Sequence, residues 1–294
     1  DTKRRWFPAL EETAAEHNQP GSLRSTQNKT PATSFRGTRG HPGCSRSIVP
    51  DEQGRRNLAG DGDEHSEEAL NHPAHRASVE RYVTQSRLGP YLTETGNDYV
   101  LAEELYVWNL RVSGAFHEVL GVFEVVLRNA LCEQLRHWHG KRTGTWLDDP
   151  TSKLDDRRIE QIKEARQALS QKNKPLTEGR IVAELSFGFW RFLLSKHYQN
   201  TLWAPHLRKA FPGMKPQRRE VVYKHVEELL TLRNRIAHHE PIHRFPLADL
   251  HAAMLLVTSW IDPDMSNWLT NLSRVPSVLA AKPKSGSGSG GRPS

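Results

Sequence analysis

Between about residues 79 and 273, apolar side chains recur every three or four positions, and strand-like alternation is scarce. That spacing gathers them on one face of a helix. The strongest run spans 98 to 139, where Leu101, Leu105 and Trp108 form one series. Phe116, Val119, Phe123, Val126, Leu127, Ala130 and Leu131 form the next. The pattern predicts amphipathic helices, the first capped by Asn97 and the second closed by Gly140 and Gly144. Upstream, SVERYVTQSRLGPYL predicts one short helix, or two broken at Gly89-Pro90. DDRRIEQIKEARQALSQ predicts another, with Ile159, Ile162 and Ala165 on its apolar face. GRIVAELSFGFWRFLLSKHY is apolar nearly all round, which predicts a central helix. Thr177 is its candidate cap, although Arg180 stands where a capping box places Glu or Gln. PQRREVVYKHVEELLTLRNRIAHH is long and regular, with Val221, Val222, Val226, Leu229, Leu230 and Leu232 at its apolar positions. Leu250 to Trp260 predicts the last helix. The fold class read from this is all-α, a helical bundle over residues 79 to 273.

The two ends lack this periodicity. PGSLRSTQNKTPATSFRGTRGHPG carries only two large apolar side chains, Leu23 and Phe35. Such a segment buries too little surface to offset its ordering entropy. Residues 1 to 78 are therefore expected to form a disordered or low-complexity extension, with a short helix around PALEETAAEH. Residues 274 to 294, ending in KPKSGSGSGGRPS, are expected to be a flexible tail. A hydrophobic content of 36% and a mean hydropathy of -0.68 fit a chain of 294 residues that is not packed throughout. A net charge of +7 favours acidic partners, nucleic acid among them. Two cysteines, Cys44 and Cys132, make neither a disulfide framework nor a CxxC zinc site, and fit a reducing cytoplasm. No apolar run approaches the roughly 18 residues of a membrane span. The N-terminus is charged, lacks a signal-peptide core, and opens at Asp1 and not Met, as a fragment does.

Chemistry concentrates in RNRIAHHEPIH, residues 233 to 243, where two motifs overlap. From His239 the stretch spells His-Glu-x-x-His, the pattern of a zinc hydrolase. That site needs both imidazoles on one helix face. Pro241 sits inside the motif, removes a backbone donor and disfavours helix at Glu240, so the helix is expected to end near His239. From Arg233 the stretch spells Arg-Asn-x-x-x-His, ending at His238. Cleaving RNA without metal takes a base for the 2′-hydroxyl, an acid for the leaving oxygen and a cation for the phosphorane. Histidine supplies either proton role near neutrality. Arginine grips phosphate through two donors. Asparagine orients imidazole or phosphate. On an ideal helix Asn234 and His238 stand ~40° apart, but Arg233 and His238 stand ~140° apart. Either the helix unwinds at His238, or two copies of the chain pool their residues across a symmetric interface. Taken alone, the stretch is also what a solvated helix C-terminus looks like, where cations favour the dipole.

LRNRIAHHEPI resembles the Abi-like (abortive infection, AbiD/AbiF type) branch of the HEPN superfamily. Arg233, Asn234 and His238 match that family's hallmark in order, and His239, Glu240 and Pro241 match its extended form. SRLGPYL (86 to 92) is similar to the family's opening motif. LYVWNLRVSGAFHEVLGVFEVVLRNAL (105 to 131) is similar to its first core helices, with Glu124, Arg128 and Asn129 as a Glu-x-x-x-Arg-Asn signature. GRIVAELSFGFWRFLLS and LWAPHLRKAFP resemble its central block. The resemblance covers about residues 84 to 262. It implies a HEPN-like, homodimeric, metal-independent endoribonuclease of the toxin or phage-defence type. RNA is then the substrate, no cofactor or metal is needed, and an antitoxin is a candidate partner. It also implies roles: His238 as acid or base, Arg233 on the phosphate, Asn234 positioning one or the other. Some HEPN proteins only bind RNA, which is the alternative function.

Other residues carry weaker signals. Glu124 and Arg128 are either an ordinary i,i+4 helix salt bridge or a buried brace, or RNA contact, near the catalytic helix. His239 either shares proton transfer or closes the helix. His243 and Arg244 are candidates for phosphate contact or for a solvated loop. Phe187, Phe189, Trp190 and Phe192 read as core in preference to a base-stacking platform. Arg157-Arg158, Arg208-Lys209 and Arg218-Arg219 are candidate basic approaches for RNA, or plain solvated faces. His137 and His139 lack partners at ligand spacing and are assigned no metal.

Overall fold

In the computed structural model the described residues are 73 to 284, all within one compact unit of the chain. The expected helix around PALEETAAEH lies outside them. The order is α1 (Pro73–Tyr82), α2 (Gln85–Glu94), α3 (Tyr99–His139), α4 (Asp156–Gln171), α5 (Glu178–Glu184), α6 (Phe187–Leu193), α7 (Arg219–Ala237), α8 (Leu247–Ile261), α9 (Pro263–Leu272) and α10 (Val275–Ala280). Short 3-10 and π turns fill 150 to 152, 196 to 203 and 207 to 210. Among the described residues there is no strand, so the molecule is all-α.

The architecture is organised around α3. Its buried positions run Ala102, Leu105, Trp108, Val112, Phe116, Val119, Phe123, Leu127, Leu131 and Leu135, without a break in the three-four rhythm. That unbroken stripe makes one helix of 41 residues where two were expected. At ~1.5 Å per residue it is ~60 Å long. Gly114 and Gly121 lie inside it and cost about 1 kcal/mol each relative to Ala, a sum the stripe's burial outweighs. Its N-cap is Asp98 and not Asn97: the Asp98 carboxylate accepts from the Leu101 amide at 3.1 Å, while Asn97 takes φ +67. Gly140 ends it at φ +65. Helices α2, α6, α7, α8, α9 and α10 all pack on α3.

Other departures have local causes. The break between α1 and α2 falls at Thr84, which takes φ +72, and Pro90 sits inside α2. The central apolar segment is two helices, because the Ser186 hydroxyl accepts from the Phe189 amide and starts α6 afresh. Thr177 precedes α5 but makes no side-chain cap. On α4 the buried stripe is Arg158, Ile162, Ala165 and Leu169, while Ile159 is exposed. α10 falls within the stretch read as tail, since Val275 is fully buried and Val278 and Leu279 pack on the core. No described helix is long and apolar enough to cross a membrane.

Candidate functional site

The helix α7 carries the Arg-Asn-x-x-x-His stretch, anchored by Val222, Val226, Leu229, Leu232 and Ile236 on its buried side. It ends at Ala237, with His238 as C-cap. The His239 amide donates to the Ile236 carbonyl at 3.0 Å, and the Glu240 amide to the Arg235 carbonyl at 2.8 Å. His239 takes φ +54. This is a Schellman ending with histidine in the left-handed position that glycine usually fills. The apolar contact that normally accompanies the motif is replaced by an ion pair, Arg235 Nη1 to Glu240 Oε2 at 3.2 Å. Arg235 also lies over the Phe245 ring at 5.1 Å. Pro241 follows, where no helix can continue.

The side chains divide by exposure. His238, His239 and Asn234 are exposed, and Arg233 is half-buried. The Arg233 Nε donates to Glu124 Oε1 of α3 at 3.0 Å, and the pair is 42% and 24% exposed. Glu124 thus joins the candidate site from 109 residues away. It does not pair with Arg128, whose Nε approaches Asn129 Oδ1 at 3.5 Å, the limit of a hydrogen bond. The Glu124 pairing is made through Nε, and among the described residues nothing bonds either Nη, so both can reach an anion. Among the described residues no side chain bonds the His238 imidazole.

Three distant segments hold the backbone just past α7. Arg87 Nη1, from the SRLGPYL block, donates to the His239 carbonyl at 2.6 Å and lies 3.4 Å from the His238 carbonyl. Asn109 Oδ1, from the buried side of α3, accepts from the Ile242 and His243 amides at 2.9 and 3.1 Å. Lys282 Nζ donates to the His243 carbonyl at 3.2 Å. Arg87 and Asn109 were not singled out by sequence. Asn109 had a signal, a polar residue next to Trp108 on the apolar stripe of α3.

His243 is not in a solvated loop. It is 4% exposed and lies against the Tyr91 ring at a centroid distance of 4.8 Å. Neither ring nitrogen has a hydrogen-bond partner. Burial, and then the Arg244 charge, push its pKa down to about 4, so the ring is neutral at pH 7. Arg244 itself bonds Glu94 at 2.9 Å. The zinc spelling therefore fails on geometry: His239 is exposed at the helix end, His243 is packed on Tyr91, and Glu240 is tied to Arg235. Among the described residues no group of three metal-ligating side chains comes together. His139, read without a metal, instead bonds Asp149 at 3.1 Å.

Most of the basic pairs are structural on one side. Arg158 is buried over the Phe192 ring at 3.9 Å. Arg219 bonds Gln199 and the Leu194 carbonyl at 2.7 and 2.8 Å. Arg208 and Lys209 are exposed. Phe187, Phe189 and Trp190 are core. Cys132 is buried too, and that burial raises its thiol to about 11, far from a reactive thiolate.

What the site offers is an arginine fork held by a carboxylate, an exposed imidazole one turn on, and an amide between them. No protein-family model matches the chain, and no curated protein or solved structure matches it.

Proposed function

We propose that this chain is a metal-independent endoribonuclease of the Abi-like HEPN type, with a HEPN-like bundle that acts as a homodimer. One observation carries the reading. Glu124 fixes Arg233 through Nε at 3.0 Å and leaves its two Nη groups open, at the same helix end as the exposed His238. Such a fork grips a phosphate, and such an imidazole moves a proton near neutrality. In the reaction, a His238 takes the proton of the 2′-hydroxyl. The 2′-oxygen then attacks phosphorus, the bond to the 5′-oxygen breaks, and the protonated His238 returns the proton to that oxygen. The products are a 2′,3′-cyclic phosphate and a 5′-hydroxyl. Arg233 neutralises the phosphorane charge, and Asn234 orients the phosphate.

The dimer belongs to this reading for two reasons. The ~140° between Arg233 and His238 on one helix separates groups that must converge. Beside Glu124, α3 also leaves Val125 43% exposed, and a side chain at Gly121 would meet nothing within 4 Å. That apolar, close-approach surface suits a second copy.

The test is incubation of the purified chain with mixed cellular RNA in EDTA, beside an Arg233→Ala/His238→Ala double variant. Cleavage by wild type alone, with cyclic-phosphate ends, is the expected outcome. Cleavage abolished by EDTA would sink the proposal, as would an unchanged rate in the double variant. The open surface around His238 favours one second reading, a non-catalytic RNA-binding module, since among the described residues nothing walls off water there. It predicts salt-dependent binding without turnover.

A further inference from the structure

Far along α3 from Arg233 lies a cleft of about 230 Å³ that the nuclease reading does not use. Trp138, the turn Thr151–Ser152–Lys153, and Asn200, Thr201 and His206 line it. Both walls are built. His139, buried at the end of α3, bonds the Asp149 carboxylate at 3.1 Å and lies 3.2 Å from the Arg142 carbonyl. Asp149 in turn accepts from the Thr151 amide and hydroxyl at 2.8 and 2.6 Å, which fixes the turn. The opposite wall is a π-helical turn, Gln199–Trp203, pinned by Arg219 on Gln199 at 2.7 Å. Such π turns are rare and recur at functional positions.

The lining has a definite chemistry. It contains no carboxylate. Lys153 is exposed, with no partner among the described residues, and Lys209 is near enough to His206 for its charge to act on the ring. Burial first, and then Lys209, lower the His206 pKa, so its imidazole is neutral at pH 7 and offers one donor and one acceptor. Asn200 adds an exposed amide that bonds nothing among the described residues. Thr201 Oγ1 has less than 1 Å² exposed and no partner, an orphaned hydroxyl in the wall. Trp138 supplies a half-buried ring 6.2 Å from His206, with the Arg142 guanidinium 5.0 Å from its centroid. A flat ligand with polar edges and a negative charge satisfies all of these groups together. A saccharide satisfies the hydroxyls but not the cations.

We infer that this cleft binds a nucleotide unit, its base lying against the Trp138 ring with the His206 ring, tilted 64° to it, meeting its edge, and its phosphate toward Lys153. Its volume is below the ~300–1,000 Å³ of pockets that enclose drug-sized ligands. One base fits, not a dinucleotide. From Glu124 to Trp138 is 14 residues of α3, or ~21 Å at ~1.5 Å each. A single RNA strand lying along α3 spans that length in a few nucleotides. This source of the unit, a strand and not a free nucleotide, rests on the nuclease reading; the cleft itself does not.

The test uses the full chain carrying Arg233→Ala/His238→Ala, so that no probe is consumed. Calorimetric titration with AMP, with UMP and with a single-stranded 12-nucleotide RNA is compared between that background and three added changes: Thr201→Val, Lys153→Glu and Trp138→Ala. Thr201→Val keeps the shape and removes only the orphaned hydroxyl. Each change is expected to weaken binding roughly 10-fold, as lost stacking or a lost buried hydrogen bond does. Weakening with both nucleotide and strand supports a general nucleotide site. Weakening with the strand alone makes RNA the source. Equal affinities in Thr201→Val, Lys153→Glu and background overturn the inference, whatever Trp138→Ala does to folding. Cleavage by the chain with an intact Arg233 and His238 is measured separately. Its absence counts against the nuclease and leaves the cleft result standing.

Discussion

Arg233 depends on a residue 109 positions earlier for its aim. A charge-assisted bond to Glu124 holds the guanidinium in one rotamer, and a loose fork is a poor one for phosphate. Glu124→Gln keeps the oxygen and removes the charge. Cleavage is expected to fall about 10-fold with the thermal midpoint little changed, as a positioning loss does. A matching fall in the midpoint would mean that Glu124 serves stability alone. His243 gives a second expectation. Its imidazole titrates at about 4 when folded, against 6.5 for the ordinary group. The unfolded chain therefore binds the proton more readily, and the stability that neutral His243 permits is whole above pH 6.5 and lost as pH falls through about 4. The whole effect is at most ~3.4 kcal/mol. His243→Phe should flatten the fall of the urea midpoint across that window; an unchanged slope would place its origin elsewhere. Sequence spacing was enough to set Arg233, Asn234 and His238 at one helix end. It was not enough for Glu124, because an i,i+4 partner, Arg128, stood nearer in sequence, and only packing decides which cation the carboxylate meets.

The end of α7 is where the element becomes a site. Histidine at φ +54 is strained by about 1 kcal/mol relative to glycine. His239→Gly should therefore raise the free energy of unfolding by about that much in a denaturant titration. If cleavage is retained as well, His239 is a helix stop; if cleavage is lost while stability rises, its imidazole takes part. Pro241 made this ending legible, since a proline four residues after Ala237 forbids more helix. Other boundaries were less so. The periodicity that identified α3 is blind to whether one helix or two carries it, and Ser186 looked like a helix residue until its hydroxyl was seen to cap α6. On α4, Arg158 takes a core position by laying its guanidinium over Phe192, which displaces Ile159 to the surface. A binary apolar-polar pattern has no term for that.

For the molecule as a whole, the all-α architecture followed from periodicity, while the assembly needs an experiment. If each nuclease centre draws Arg233 from one copy and His238 from another, single variants complement. Mixed after brief unfolding and refolding, Arg233→Ala and His238→Ala chains should recover roughly a quarter of wild-type cleavage, since half of the dimers are mixed and each holds one intact centre. No recovery would place both residues of a centre on one chain. Val125→Asp should separately shift the sedimentation of the protein toward that of a monomer.

The clamps behind α7 also order events in time. Arg87, Asn109 and Lys282 grip the same few carbonyls and amides from 151, 133 and 39 residues away. Closing such long loops is slow and comes late in folding. Lys282 leaves the ribosome after every other residue of the clamp. A chain still being synthesised therefore carries the Arg-Asn-x-x-x-His stretch before Lys282 has closed on the His243 carbonyl. Under the nuclease reading proposed above, that delay keeps the last clamp open until the message has been read nearly to its end.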